Sequence, residues 1–218
     1  MNAPFIRSDA SGENMTILVH GLWMHGIMMS VLGRFLEQRG FKTHSVTYDF
    51  LNQTPAANAR VLWREIQALG ARRINLVGHS LGGIVILHFL QQFPQAPVGS
   101  VVLIGSPVKG SYVAGRLHRY KLFRGFLGRS VEQGLLGGVP DYEGTWPLGI
   151  ITGSGGISVS SLFLPANERS DGVVREQETI IDKATERIIV KKSHSAMVFS
   201  RQCASLTANF LRYGRFNI

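Results

Sequence analysis

The chain has 218 residues, a formal net charge of +9, and 44% hydrophobic against 17% charged residues. That length suits one domain with a sizeable core, and the composition excludes an intrinsically disordered protein. No apolar run approaches a membrane-spanning length, residues 1–14 do not read as a signal peptide, and Cys203 is the only cysteine, so no internal disulfide can form. Together these features point to the cytoplasm.

Residues 16–19 (TILV) are continuously apolar and β-branched, which predicts a buried strand. A helix is predicted from there to about Arg39, with Val31, Leu32, Phe35 and Leu36 on one face and Gly40 as its stop. Residues 43–48 form the next strand candidate. Thr54-Pro55 then reads as a cap with proline at the first helical position, opening a helix to Leu69 with Leu62, Ile66 and Leu69 inward and Gly70 at its end. Residues 74–77 predict a third strand, followed at once by Gly78-His79-Ser80-Leu81-Gly82-Gly83. The helix over 81–92 is apolar nearly all round, as burial against a sheet requires. A fourth strand is predicted at 100–104, a fifth at 148–152 and a sixth at 186–190. Residues 200–212 close the chain as an amphipathic helix with Cys203, Leu206, Phe210 and Leu211 inward.

Strands alternating with helices predict an α/β fold: a mostly parallel sheet of about six strands with helices on both faces. The stretch from 105 to 147 is basic, Gly-rich and only partly helical. We read it as a small cap inserted above the strand ends of a single domain spanning 1–218.

Charge is unevenly spread. No Asp or Glu occurs between Glu65 and Glu132, while Arg72, Arg73, Lys109, Arg116, Arg119, Lys121, Arg124 and Arg129 fall in that gap. Such a stretch serves general solubility or attracts anionic partners, including an anionic membrane surface. No nucleic-acid-binding motif surrounds the basic residues, and no nucleic acid partner is expected.

Gly78-x-Ser80-x-Gly82 matches the G-x-S-x-G nucleophile elbow, in which a strained turn lifts a serine off a strand end at a helix N-terminus. With 25 glycines in the chain, chance supplies roughly a quarter of such a match, so context decides. Here the pattern lies between a β-branched run and a buried helix, as that geometry demands. A serine also needs a base in hydrogen-bonding reach, and in this kind of fold the acid and then the base follow it along the chain. Of seven histidines only His194 lies beyond the sixth strand. His118 falls in the cap, His88 within the helix after Ser80, and His20 and His79 read as packing or hydrogen-bonding residues beside the site. The acid must hold the imidazole in its working tautomer. Asp171, in a polar turn before His194, is chosen over Asp182, which falls in an apparent helix. Asp141 and Glu143 come too early. An oxyanion needs backbone donors: the N–H of Leu81 after the serine, and that of Leu22 in His20-Gly21-Leu22-Trp23 after the first strand.

HGLW after the first strand, GHSLGG after the third, and SDGVV followed by SHSAM together resemble α/β-hydrolases of the lipase and esterase kind, with the nearest likeness to small bacterial lipase-like hydrolases of the PGAP1-like group. The resemblance runs from about residue 15 to 213. It implies Ser80, Asp171 and His194 as a catalytic triad, Leu22 and Leu81 as oxyanion donors, and an acyl ester, small or lipid, as substrate. Against larger members the chain lacks two leading strands and carries only a small cap. No metal or other cofactor is expected. A thioesterase or amidase using the same triad, and a non-catalytic hydrolase-fold binding protein, are the competing readings. Ile157, Leu162, Phe163 and Leu164, with Leu135 and Leu136 of the cap, are candidates to line an acyl pocket. Oligomeric state has no signature in the residues.

Overall fold

The computed structural model describes residues 14–156, 164 and 168–217. In chain order its elements are β1 (Asn14–Val19), α1 (Gly26–Glu37), β2 (Thr43–Val46), α2 (Pro55–Leu69), β3 (Arg73–His79), α3 (Leu81–Gln92), β4 (Val98–Ile104), α4 (Tyr112–His118), α5 (Lys121–Leu127), β5 (Leu148–Gly153), β6 (Glu186–Val190) and α6 (Arg201–Tyr213). The strands form one sheet in the order β2-β1-β3-β4-β5-β6. Every neighbouring pair is parallel.

The two-residue period of a strand sorts the core into two layers. Ile17, Leu76, Val101 and Ile150 face a cluster completed by Leu62 and Ile66 of α2 and by Ile84 and Ile86 of α3. Their chain neighbours Leu18, Val77, Val102 and Ile151 face Leu32 and Leu36 of α1 and Leu206 and Phe210 of α6. Central strands buried on both faces read as unbroken apolar runs, which is why TILV and its counterparts were legible.

Local signals set the helix ends. The Thr54 side chain accepts from the Ala57 N–H at 3.2 Å, Pro55 opens α2, and Gly70 closes it in the left-handed region at φ 60°. Ser111 and Ser200 cap α4 and α6 in the same way. Every residue of α3 from Leu81 to Leu90 is buried, as its all-round apolar sequence requires.

Some expectations change. The loop after β1 runs to His25, so α1 begins later than the residues after β1 suggest. Met29 and Gly33 join Leu32 and Leu36 on its buried face, leaving Val31 and Phe35 only half-buried. β2 ends at Val46, two residues short of the predicted strand. Asp182 sits in an exposed turn rather than a helix. Residues 105–147 join β4 to β5 and contain α4, α5 and a 3-10 turn at Gly128–Val131. From β1 the chain moves outward to β2, then crosses back over β1 to β3. That reversal makes the carboxyl ends of β1 and β3 the switch point where this sheet type opens a crevice.

Candidate active site

Ser80 stands directly after β3 with φ 53° and ψ −122°, a left-handed backbone that non-glycine residues rarely adopt. Two backbone hydrogen bonds hold it there: its N–H donates to the Ile104 carbonyl at 2.9 Å, and its carbonyl accepts from Gly83 N–H at 3.0 Å. The turn closes only because α3 can lie against β1. A Cβ on Gly82 would come within 2.2 Å of the Val19 carbonyl oxygen, a contact no side chain tolerates. Gly21 makes the second close approach, where a Cβ would sit 2.9 Å from Ser80 Cβ and 3.2 Å from His79 Nδ1. The loop after β1 is thereby pressed against the serine. It turns at once, Met24 N–H returning to the Gly21 carbonyl, with Trp23 at φ 56°.

His20 fixes that loop from behind. Its ring stacks on Tyr48 at 4.3 Å, its Nδ1 lies 2.8 Å from the Gly21 carbonyl, and Tyr48 Oη donates to the His20 carbonyl at 2.6 Å. Burial pulls the His20 pKa down, which favours the neutral ring.

His194 follows β6, at the start of a 3-10 turn. Its Nδ1 lies 2.7 Å from Asp171 Oδ2. A carboxylate can only accept there, which favours the tautomer with its proton on Nδ1. Asp171 is 1% exposed, and the fold supplies its other oxygen with partners: Oδ1 accepts from the N–H groups of Val173 and Val174 at 2.9 and 2.8 Å. The backbone adds a further tie, His194 N–H to the Asp171 carbonyl at 3.0 Å.

His79 links the two halves of the site. Its Nε2–H donates to the His194 carbonyl at 3.1 Å, and the two rings lie 4.7 Å apart. Burial first, and next the charge His194 can acquire, push the His79 pKa down to about 3. The ring is held neutral.

A cavity of about 400 Å³ opens over these groups. Ser80, His194, Leu22 and Trp23 border it, and Val113, Ala114, Leu117, Leu127 and Leu135 give it an apolar wall. Leu81 is buried at the first position of α3, directly after Ser80. Of the acyl-pocket candidates, Leu135 lines the cavity. Leu136 is exposed and Leu164 half-buried, and neither borders it, while Ile157, Leu162 and Phe163 lie outside the described residues. His88 turns its Nε2 to the Gln133 carbonyl at 2.6 Å, and His118 ends α4; neither borders the cavity.

Sequence reasoning missed the wall of α4, although Val113, Ala114 and Leu117 carry a readable helical stripe. It also missed Glu178, which no motif marks. That buried carboxylate accepts from Tyr112 N–H at 2.6 Å and from Arg175 Nε at 2.9 Å, tying α4 to the turn that carries Asp171. Among the described residues no group of three or more His, Cys, Asp or Glu could hold a metal ion.

Over residues 16–185 the chain matches the model of the alpha/beta hydrolase family, and it belongs to that family. The matched segment includes Ser80 and Asp171 and stops short of His194. Solved structures share the fold: a Bacillus licheniformis lipase in mature form (18% identity, 98% of this chain and 96% of that one, TM-score 0.74) and a metagenomic carboxyl esterase (17% identity, 94% and 76%, TM-score 0.70). A Paleococcus ferrophilus monoacylglycerol lipase is similar too (16% identity, 92% and 94%, TM-score 0.62). No curated protein matches in sequence. These likenesses establish the family and the fold, not the narrower PGAP1-like grouping.

Proposed function

We propose that the chain is a serine hydrolase of carboxylic esters, acting through Ser80, His194 and Asp171. The observation that carries this reading is the buried 2.7 Å contact between His194 Nδ1 and Asp171, with His194 and the left-handed Ser80 bordering one cavity. The solved structures of similar fold include lipases and carboxylesterases, which favours an ester over other acyl compounds.

In this mechanism Ser80 Oγ attacks the ester carbonyl carbon as its proton passes to His194 Nε2. Asp171 stabilises the imidazolium that forms. The tetrahedral oxyanion is held by the backbone N–H groups of Leu22 and Leu81, each donor contributing about 10²- to 10³-fold in turnover. His194 returns the proton to the departing alcohol oxygen as the carbon–oxygen bond breaks, leaving an acyl group on Ser80. Water then attacks the acyl carbon, its proton passing to His194 and on to Ser80 Oγ as the acid leaves. No step calls on a metal or cofactor. Residues 105–147 act as a small cap on a single domain, and its Val113, Ala114, Leu117, Leu127 and Leu135 supply the wall against which the acyl chain rests.

Ser80→Ala is expected to retain the fold and lose hydrolysis of short p-nitrophenyl esters. A fluorophosphonate should modify the wild-type chain at Ser80 alone, mapped by mass spectrometry of its peptides. Labelling elsewhere, or turnover surviving in the variant, would overturn the assignment. Matched thioester and amide substrates, turned over more slowly than the ester, complete the test.

A further inference from the structure

We propose that α5, with the turn carrying Trp23, is a docking surface for an anionic lipid bilayer. α5 is unusual among the helices in burying only Leu127. Leu122 is 76% and Phe126 57% exposed; one turn apart, they share an outward stripe. The stripe is extended by contacts. Tyr120, itself exposed, meets the ring of Phe123 at 6.3 Å, Phe123 meets Phe126 at 6.4 Å, and Trp23 Nε1–H donates to the Phe126 carbonyl at 2.8 Å. A contiguous aromatic and aliphatic surface of this kind is not what a solitary soluble chain leaves in water.

Its rim is cationic. Arg116 and Arg119 at the end of α4, Lys121 and Arg124 on α5 itself, and Arg129 in the turn that follows are all exposed. The first carboxylate after Glu65 is Glu132, already paired with Arg129 at 2.9 Å. An apolar stripe flanked by Lys and Arg is the composition of helices that lie in a bilayer interface, with Leu and Phe among the acyl chains and the cations at anionic headgroups. A second copy of the chain fits poorly, because a two-fold interface would set this basic surface against itself. The position is apt. Trp23 and Leu127 both border the cavity over Ser80, so docking here brings the cavity mouth to the source of a lipid ester. That consequence rests on the hydrolase reading; the docking itself does not.

The test is flotation of the full chain with vesicles of phosphatidylcholine alone and with added phosphatidylglycerol, at low and high salt. The wild-type protein should float with the phosphatidylglycerol vesicles and be released by salt. Arg119→Gln with Lys121→Gln should lower partition about thirtyfold. Leu122→Ser with Phe126→Ser should lower it about tenfold or more. Both pairs should hydrolyse a soluble short-chain ester like wild type, which shows that the fold is intact. Ser80→Ala should float as wild type does, so failure of docking and failure of the hydrolase reading give different results. Binding that ignores phosphatidylglycerol, variants that float undiminished, or a dimer dissolved by Leu122→Ser with Phe126→Ser would each overturn the proposal, the last in favour of a second copy.

Discussion

Asp171 has two oxygens with separate work. Oδ2 meets the His194 ring, while Oδ1 gathers the N–H groups of Val173 and Val174 and so shapes the turn that presents the carboxylate. Asparagine can keep the second role, since its amide oxygen accepts from the same N–H groups, but it cannot stabilise an imidazolium. Asp171→Asn is therefore expected to lower kcat about 10⁴-fold with little change in KM. Its melting temperature should stay near that of wild type, whereas Asp171→Ala should lose both activity and stability. Steady-state kinetics with thermal unfolding of the two variants separates these outcomes, and an Asp171→Asn enzyme of near-normal kcat would count against Asp171. Ser80 and His194 could be nominated from residue types alone, because acyl transfer demands a serine between glycines at a strand end and a histidine late in the chain. His79 was harder to place. Its partner is the backbone carbonyl of His194, and a carbonyl leaves no trace in residue types.

Among the elements, α4 sets what the site can hold. Val113, Ala114 and Leu117 project from it into a cavity of about 400 Å³, near the lower end of the roughly 300 to 1,000 Å³ usual for small-molecule sites. Short to medium acyl chains are the expected substrates. Leu117→Ala, which removes three methylene-sized groups from the wall, should move the optimum in a p-nitrophenyl ester series toward longer chains, read as kcat/KM against chain length; an unmoved optimum would place the acyl chain elsewhere. Glu178 and Arg175 hold this helix to the Asp171 turn, and the Arg175 guanidinium lies 4.5 Å from the centre of the Tyr112 ring. α4 and α5 were read only as a partly helical stretch, for a physical reason. Each is seven residues long and carries a glycine, Gly115 or Gly125, too short and too permissive for propensity to speak. α2, with its Thr54 cap, Pro55 and Gly70, was legible from end to end because each boundary has its own residue.

Across the whole molecule, the sheet was readable in its buried central strands and at its β6 edge, and less so at its other edge, where β2 stops short. The buried histidines give the fold a common acid sensitivity. His20, His79 and His88 all have pKa values lowered chiefly by burial, that of His79 to about 3. Below the unfolded value of about 6.5 the unfolded chain takes up protons that the native ring refuses, so stability falls with pH. For His79 that loss runs from about pH 6.5 down toward 3, at up to about 1.4 kcal/mol per pH unit, and ceases below it. Urea midpoints of wild type measured from pH 7 to 4 should decline, and those of His79→Phe should decline less steeply; equal slopes would mean that His79 is protonated in the native state. Cys203, fully buried in α6 with its thiol pKa raised by burial, cannot bridge two copies under air or meet an alkylating reagent while the fold holds. The native protein therefore needs no reductant, and a cysteine engineered onto its exterior becomes the one handle a maleimide can reach.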